Sequence, residues 1–144
     1  MQKNSDSRRR YYPLLLDLTG RRCLVVGGGN VAERKVGALL QSGAHVTVIS
    51  PECTEHLVQL AEAGQITTHH RFFLESDISD SFLVIAATND AAVNEAVYRT
   101  ATAAGRLVNV IDNPDLCNFI VPSVVERGDL MVAVSTSGAS PALA

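Results

Sequence analysis

Short apolar runs and amphipathic segments alternate along most of the chain. Five runs have the length and composition of β-strands: Arg22–Val26, His45–Ile49, 66–69, 82–87 and 107–111. Three segments between them place apolar side chains at helical spacing: 31–42, 51–63 and 90–104. This alternation predicts an α/β domain with a parallel sheet that is covered on both faces. The runs at 82–87 and 107–111 are continuously apolar, which favours central positions for both strands.

Capping residues predict where the helices begin and end. Gly43 follows the first helix as a stop signal. Ser50 is a candidate N-cap of the second helix, with Pro51 in its first turn. For the third helix the candidate cap is Asn89 and the stop signal is Gly105.

The pattern changes after Pro114. Two further apolar runs flank Gly128, and they predict a β-hairpin with strands at 119–126 and 130–135. We therefore expect an α/β domain over 1–113 and a separate segment over 114–144. An apolar hairpin that no later element covers is a candidate surface for a second chain; the alternative is that it extends the main sheet.

Composition narrows the class of protein. With 144 residues, of which 47% are hydrophobic, the chain can bury a single core as a compact domain. A net charge of −3 argues against a nucleic-acid partner, and no apolar run has the length that spans a membrane. The basic cluster at 8–10 is interpreted as a solvated tail, because the apolar stretch after Pro13 is too short for a signal peptide. Three cysteines without metal-ligand spacing predict a cytoplasmic protein.

The most informative motif directly follows the first strand. Gly27, Gly29 and Ala32 have the spacing of a dinucleotide-binding turn, with a strand before them and a helix and second strand after them. Gly27 permits the tight turn, Gly29 lets the backbone approach a pyrophosphate, and Ala32 lets the helix pack closely on the sheet. The first amides of the helix, at Asn30 and Val31, are aimed at the phosphates. The motif predicts a Rossmann-type doubly wound sheet that binds NAD.

Ligands of such sheets lie beyond the carboxyl ends of the strands. That rule brings together four loops that are far apart in the sequence: 27–31, 50–52, 88–90 and 109–113. We expect Ser50, Pro51 and Glu52 to flank the adenosine ribose, and Thr88 and Asn109 to line the nicotinamide side. An acidic residue commonly ends the second strand of an NAD domain, and Ser50 takes that place here. The preference between NAD and NADP therefore stays open.

Other conspicuous side chains have ordinary explanations. His69 and His70 are adjacent, so on a strand they point to opposite faces and do not readily share a metal ion. Cys23 falls at an apolar strand position, and Cys117 is expected to pack in the interior. No metal site is predicted.

Six motifs, taken in order, are similar to those of one known family: Tyr12-Pro-Leu-Leu-Leu-Asp-Leu18, Gly27-Gly-Gly-Asn-Val-Ala-Glu-Arg-Lys35, Ala86-Ala-Thr-Asn-Asp90, Asn109-Val-Ile-Asp112, Phe119-Ile-Val-Pro-Ser123 and Ser140-Pro-Ala-Leu-Ala144. The chain resembles precorrin-2 dehydrogenase, the enzyme or N-terminal module of siroheme synthase. The resemblance implies NAD-dependent oxidation of the tetrapyrrole precorrin-2 to sirohydrochlorin and, in some members, insertion of Fe²⁺ as a second substrate. It also implies a homodimer in which the hairpin belongs to an exchanged dimerisation segment, whose helical remainder we expect to be missing here.

The same resemblance assigns acid–base chemistry to Asp112, which matches the family's essential aspartate. Oxidation of precorrin-2 removes a hydride together with protons from ring carbon and nitrogen, and a carboxylate beside the nicotinamide suits the proton step. If the resemblance is set aside, the segment Asp112-Asn113-Pro114 predicts an ordinary turn. Two alternatives stay open: a non-catalytic NAD-sensing regulatory domain, and a chelatase that retains Asp112 without using NAD.

Overall fold

The computed structural model describes residues 9–136, which fall into two compact units. One unit comprises Leu16–Asn118, and the other contains residues 9–15 and 119–136. The predictions for Arg8 and for the motif at 140–144 lie outside the described residues. Within 9–136, no helix combines the length and the apolar character needed to cross a membrane.

A parallel sheet of five strands forms the larger unit. Its elements are β1 (Arg22–Val26), α1 (Asn30–Gln41), β2 (His45–Ile49), α2 (Glu55–Glu62), β3 (Thr67–His69), β4 (Leu83–Ala86), α3 (Ala91–Ala103) and β5 (Leu107–Val110), with 3-10 turns at Glu75–Ile78 and Pro114–Leu116. The strand order is β3-β2-β1-β4-β5, and all four pairings are parallel. The chain moves outward from β1 to β3 and restarts at β4 on the other side of β1. A crevice therefore opens between the carboxyl ends of β1 and β4, as in the predicted Rossmann-type sheet.

The core lies where the strands meet the helices. Leu24, Val84 and Val108 are side by side in the register of β1, β4 and β5, and all three are buried. Each such side chain contributes roughly 1.5–3 kcal/mol of hydrophobic stabilisation. Helix α1 covers the sheet with Ala32 and Val36, which are fully buried, as its apolar spacing predicted.

The predicted cap of α2 is wrong. The helix begins at Glu55 with Thr54 as its N-cap, and the Thr54 hydroxyl accepts a hydrogen bond from the Leu57 amide at 3.3 Å. Ser50 does not cap the helix because its hydroxyl donates to the Glu52 carbonyl at 2.7 Å, inside the loop that precedes the helix.

The cap of α3 also differs from the prediction by one residue. Asp90, not Asn89, is the N-cap, and its carboxylate accepts hydrogen bonds from the amides of Ala92 and Val93. The predicted stop signal is confirmed, since Gly105 has a φ of +69° just after the helix ends.

Strand β5 lies at the edge of the sheet, not at its centre. Its apolar character has another cause, because the segment that follows it folds back and covers the open edge. The Val108 amide donates to Asn118 Oδ1 at 2.8 Å, and the Val110 amide donates to Cys117 Sγ at 3.2 Å. Cys117 is buried in the core, as predicted.

The smaller unit contains the predicted hairpin, but its first strand begins at residue 123 and not at residue 119. Strands β6 (Ser123–Arg127) and β7 (Leu130–Val134) pair antiparallel, and a two-residue loop joins them at Gly128, whose φ is +57°. Glycine at the first loop position is typical of a type II′ turn, which matches the twist of paired strands. Most side chains of both strands are exposed, including Val125, Leu130 and Val132.

Candidate functional site

The loop between β1 and α1 begins with a glycine that no other residue can replace easily. Gly27 has a φ of +126°, and a Cβ at this position would collide with the Ala87 carbonyl in the loop after β4. Its amide donates to the Ile49 carbonyl at the end of β2, at 2.9 Å. Gly27 therefore joins the carboxyl ends of three neighbouring strands, β2, β1 and β4.

The next two glycines have different environments. A Cβ at Gly28 would collide with the Glu52 carbonyl and lie 2.9 Å from Ser50 Oγ, so this glycine lets the β2–α2 loop pack against the β1–α1 loop. The Gly29 position has no atom within 4 Å of a Cβ built on it. A packed Gly28 and an open Gly29 leave space beside the start of α1.

The first turn of α1 offers amides to that space. Gly29 is the N-cap and provides no side-chain cap, and the first intrahelical bond runs from the Glu33 amide to the Gly29 carbonyl at 3.0 Å. The amides of Asn30, Val31 and Ala32 come before this bond, so the helix supplies them with no acceptor. Amides and a positive helix dipole beside an open glycine fit the pyrophosphate of a dinucleotide.

Thr54 connects this loop to α2, a role that the sequence patterns did not reveal. Its amide donates to the Gly28 carbonyl at 2.9 Å, and its hydroxyl donates to Glu33 Oε1 at 2.8 Å while it caps α2. The acidic side chain of Glu33 is thereby held against Thr54. A threonine directly before an amphipathic helix is typical of an N-cap, so this position could have predicted that Thr54 caps α2.

The loop after β2 holds the residues expected near the adenosine ribose. Ser50 is buried and its hydroxyl is used by the Glu52 carbonyl, whereas the side chains of Pro51 and Glu52 are exposed. Cys53 is half-buried in the same loop, and this burial raises the pKa of its thiol. Of these residues, Glu52 is the one whose polar side chain is accessible.

The loop after β4 is fixed by a side-chain network around Thr88. The Thr88 hydroxyl donates to Asn94 Oδ1 at 2.7 Å and accepts from the Asp90 amide at 3.1 Å. Asn94 Nδ2 in turn donates to the Thr88 carbonyl at 3.0 Å. The network holds Thr88 at the crevice, and Asn94 is a second residue that the sequence analysis missed.

Asn109 and Asp112 lie on the far side of β4 from the glycine loop. Asn109 is opposite Ile85 within β5, on the face of the sheet that Val108 and Val110 do not occupy. Asp112 is exposed and follows the end of β5 in a turn closed by a hydrogen bond from the Asn113 amide to the Val110 carbonyl at 3.2 Å.

The backbone of Asp112 is unusual. Its φ is +60°, and among residues 9–136 it is the one non-glycine residue with a positive φ. A turn with this hydrogen bond and a positive φ at its third position is of type II, where glycine and asparagine are the usual residues. The described residues contain no group of three histidine, cysteine or acidic side chains placed to hold a metal ion.

Comparison with known proteins identifies relatives of this arrangement. Residues 14–123 match a protein family described as "Putative NAD(P)-binding". The chain is 53% identical over 135 residues to a siroheme synthase of Nitrosococcus oceani and 49% identical over 134 residues to one of Methylococcus capsulatus. These matches cover 94% and 93% of the chain but 29% and 28% of the relatives. The chain thus spans less than a third of the curated relatives that it matches.

A solved structure has the same fold. The structure described as "SirC, precorrin-2 dehydrogenase" superposes with a TM-score of 0.82 at 37% identity, over 92% of this chain and 65% of that one. The family match covers all five strands of the sheet and its carboxyl edge, where the glycine loop fits a dinucleotide. By its sequence and by its fold, the chain belongs to this NAD(P)-binding family.

Proposed function

We propose that the chain is the NAD-dependent dehydrogenase part of a siroheme synthase and oxidises precorrin-2 to sirohydrochlorin. The observation that carries the proposal is the open Gly29 at the start of α1, on the same edge of the sheet as the exposed Asp112, whose φ is +60°. A positive φ is uncommon outside glycine, and backbone conformations of this kind are concentrated at functional sites. The names of the relatives, siroheme synthase and precorrin-2 dehydrogenase, support the substrate.

In this proposal the start of α1 binds the pyrophosphate of NAD. The open position of Gly29 and the amides of Asn30 and Val31 support this role. Gly27 and Ala32 are proposed to shape the turn and the packing of the helix against the sheet.

The two ends of the cofactor would meet different loops. Glu52 is proposed to bind the adenosine ribose, with Ser50 and Pro51 shaping the loop, because the Ser50 hydroxyl is already donated to a carbonyl. Thr88 and Asn109 are proposed to line the nicotinamide side. The Thr88 hydroxyl is engaged by Asn94, so Thr88 would act through its position in the loop.

Asp112 is proposed as the general base. NAD⁺, when bound, supplies the hydride acceptor. The side chain of Asp112 is exposed at the same edge of the sheet, where its carboxylate can take a proton that precorrin-2 loses together with the hydride. Asparagine has the same shape and tolerates a left-handed backbone, but its amide cannot act as a base.

The test is anaerobic turnover of freshly generated precorrin-2 with NAD⁺, followed through the absorbance of NADH and sirohydrochlorin. The longest natural form of the protein is used, because the chain spans under a third of its curated relatives. We expect Asp112→Asn to lower kcat by about 100-fold or more, the usual contribution of a general base, and to leave the Kd of NAD within about twofold.

The outcomes separate the candidate functions. Equal turnover by Asp112→Asn would exclude Asp112 as the base. Wild-type protein that binds NAD but does not oxidise precorrin-2 would favour the NAD-sensing domain. Siroheme formation from sirohydrochlorin and Fe²⁺ without NAD binding would favour the chelatase.

We also propose a cytoplasmic homodimer to which segment 114–144 contributes. An isolated two-stranded hairpin is marginally stable, and the exposed apolar side chains of β6 and β7 would be covered by a second copy. Three free thiols are compatible with a reducing compartment.

The resemblance also suggests Fe²⁺ as a second substrate, which the same assay tests when Fe²⁺ is added to sirohydrochlorin.

A further inference from the structure

A cleft lies at the opposite edge of the sheet, where three neighbouring strands begin. Arg21 and Arg22 stand at the start of β1, residues 79–82 precede β4, and Arg106 directly precedes β5. Because β1, β4 and β5 are adjacent and parallel, their amino ends converge, and the Phe82 amide donates to the Arg22 carbonyl at 2.8 Å. We call this site the arginine cleft. Its volume is about 290 Å³, and it is open to solvent.

The arginine cleft concentrates positive charge in a chain of net charge −3. Three arginines and one carboxylate, that of Asp80, line it. Asp80 pairs with Arg22 at 3.3 Å, but the two side chains are 76% and 70% exposed. Such an exposed pair contributes little free energy, so another anion can displace Asp80 from Arg22.

Two of the arginines are held in place without a ligand. The guanidinium of Arg21 lies over the ring of Phe82, 4.4 Å from its centroid, and Arg106 Nη2 donates to the Ser79 carbonyl at 2.9 Å. Both contacts restrict long side chains in advance, which lowers the entropy that a bound ligand must remove.

Arg106 also carries an unsatisfied donor. Its Nε is buried and has no hydrogen-bond partner in the described part of the chain. Buried donors of this kind are uncommon, since leaving one unpaired is unfavourable by about 1–3 kcal/mol. The Arg106 guanidinium as a whole offers donors in a fork that matches the two oxygens of an oxyanion.

We propose that the arginine cleft binds a small oxyanion, either the phosphate or the carboxylate group of a metabolite. The site is separate from the glycine loop, because strands of four or five residues put about 13–17 Å between the two edges of the sheet. The proposal goes beyond the dehydrogenase activity and does not depend on it.

The test is an NMR titration of the ¹⁵N-labelled 144-residue chain, observing backbone amides and arginine Nε–H groups. Inorganic phosphate, citrate and sodium chloride are added separately at matched ionic strength. We expect phosphate, citrate or both to shift the signals of Arg21, Arg22 and Arg106 with saturation. Arg22→Gln is expected to weaken this binding at least threefold, whereas Arg99→Gln, an equal loss of charge on the exposed surface of α3, leaves it unchanged.

The titrations also identify the source of the anion. Saturation by phosphate alone supports a phosphorylated ligand, saturation by citrate alone supports a carboxylate, and saturation by both supports an oxyanion site without that selectivity. Signals that follow ionic strength alone, or equal losses in Arg22→Gln and Arg99→Gln, would overturn the proposal. Shifts confined to the glycine loop would overturn it as well, and they would leave the dinucleotide site intact.

Discussion

At the residue scale, three consecutive glycines serve three purposes. Gly27 has a positive φ and lies too close to the Ala87 carbonyl to carry a Cβ. Gly28 lies against the Glu52 carbonyl, and Gly29 faces open space. The spacing of the motif pointed to Gly27 and Gly29 because both belong to a recurrent turn. It could not point to Gly28, whose neighbour belongs to the loop after the next strand.

The glycines differ in what an added methyl group would cost. We expect Gly28→Ala to lower the free energy of unfolding by about 1–3 kcal/mol, because the new Cβ overlaps backbone that must move. Gly29→Ala is expected to lower it by about 0.5–1 kcal/mol, because alanine is a poorer N-cap residue than glycine. Gly37→Ala, in the middle of α1 and in open space, should raise it by about 0.5–1 kcal/mol. Urea denaturation measures all three, and a Gly28→Ala variant as stable as the wild type would contradict the packing described here.

The three cysteines should differ in reactivity. Burial raises the pKa of Cys23 to about 11, and Cys117 is also buried, whereas Cys53 is half-buried. We expect a thiol reagent at pH 8 to label Cys53 first, although the pKa of Cys53 is also raised by burial. Mass spectrometry of the native protein locates the label, with Cys53→Ser as the control. First labelling at Cys23 would show that β1 opens in solution.

At the scale of elements, the apolar pattern located every strand of the sheet to within one or two residues, because strand interiors are defined by burial. Helix caps were less predictable. Ser50 and Asn89 are suitable capping residues by type, yet the cap is the residue whose side chain reaches the first amides, and here those residues are Thr54 and Asp90. The edge position of β5 could not be predicted either. The residues that cover its open side belong to a segment whose sequence predicts a turn.

The corrected cap of α3 can be tested directly. We expect Asp90→Ala to lower the free energy of unfolding by about 1 kcal/mol, because the amides of Ala92 and Val93 lose their acceptor. Asn89→Ala is the matched control and should be nearly neutral. Thermal or urea unfolding of the two variants is the measurement, and a larger loss from Asn89→Ala would restore the cap predicted from the sequence.

The connection between β3 and β4 should be sensitive to acid. Arg71 donates to both carboxylate oxygens of Asp77 at 2.9 and 2.7 Å and lowers the pKa of Asp77 below its ordinary value of 3.8. A lowered folded-state pKa stabilises the fold above about pH 4, and that contribution is lost as the pH falls through the folded-state value. The stability difference between wild type and Asp77→Asn should therefore be constant near neutral pH and shrink below about pH 4. A difference that stays constant down to pH 2 would contradict this role.

At the scale of the whole molecule, the sequence predicted the fold class, and the order of the strands places the candidate site at the carboxyl edge of the sheet. Hydrogen bonds between side chains of different elements, such as those of Thr54 with Glu33 and of Thr88 with Asn94, could not be predicted from the sequence. The left-handed backbone of Asp112 was also invisible, since the sequence around it is that of a common turn.

The proposed homodimer predicts a change in assembly. Val125 and Val132 are paired in the hairpin and are 58% and 45% exposed, so a charge there would be buried by a second copy. We expect Val132→Glu to weaken dimerisation at least tenfold, and Val132→Ile to preserve it, in sedimentation equilibrium. A wild-type chain that stays monomeric over the accessible concentrations would refute the homodimer for this 144-residue chain.

A calorimetric titration of the 144-residue chain with NAD⁺ tests whether the start of α1 binds the dinucleotide. Wild type and Gly37→Ala should each bind one NAD⁺ per chain with equal affinity. Gly29→Ala should retain its fold and bind at least tenfold more weakly, because its methyl group would occupy the space at the start of α1. A folded wild-type chain that binds no NAD⁺, or a Gly29→Ala variant that binds as tightly as the wild type, would contradict the dinucleotide site on which the proposed dehydrogenase depends.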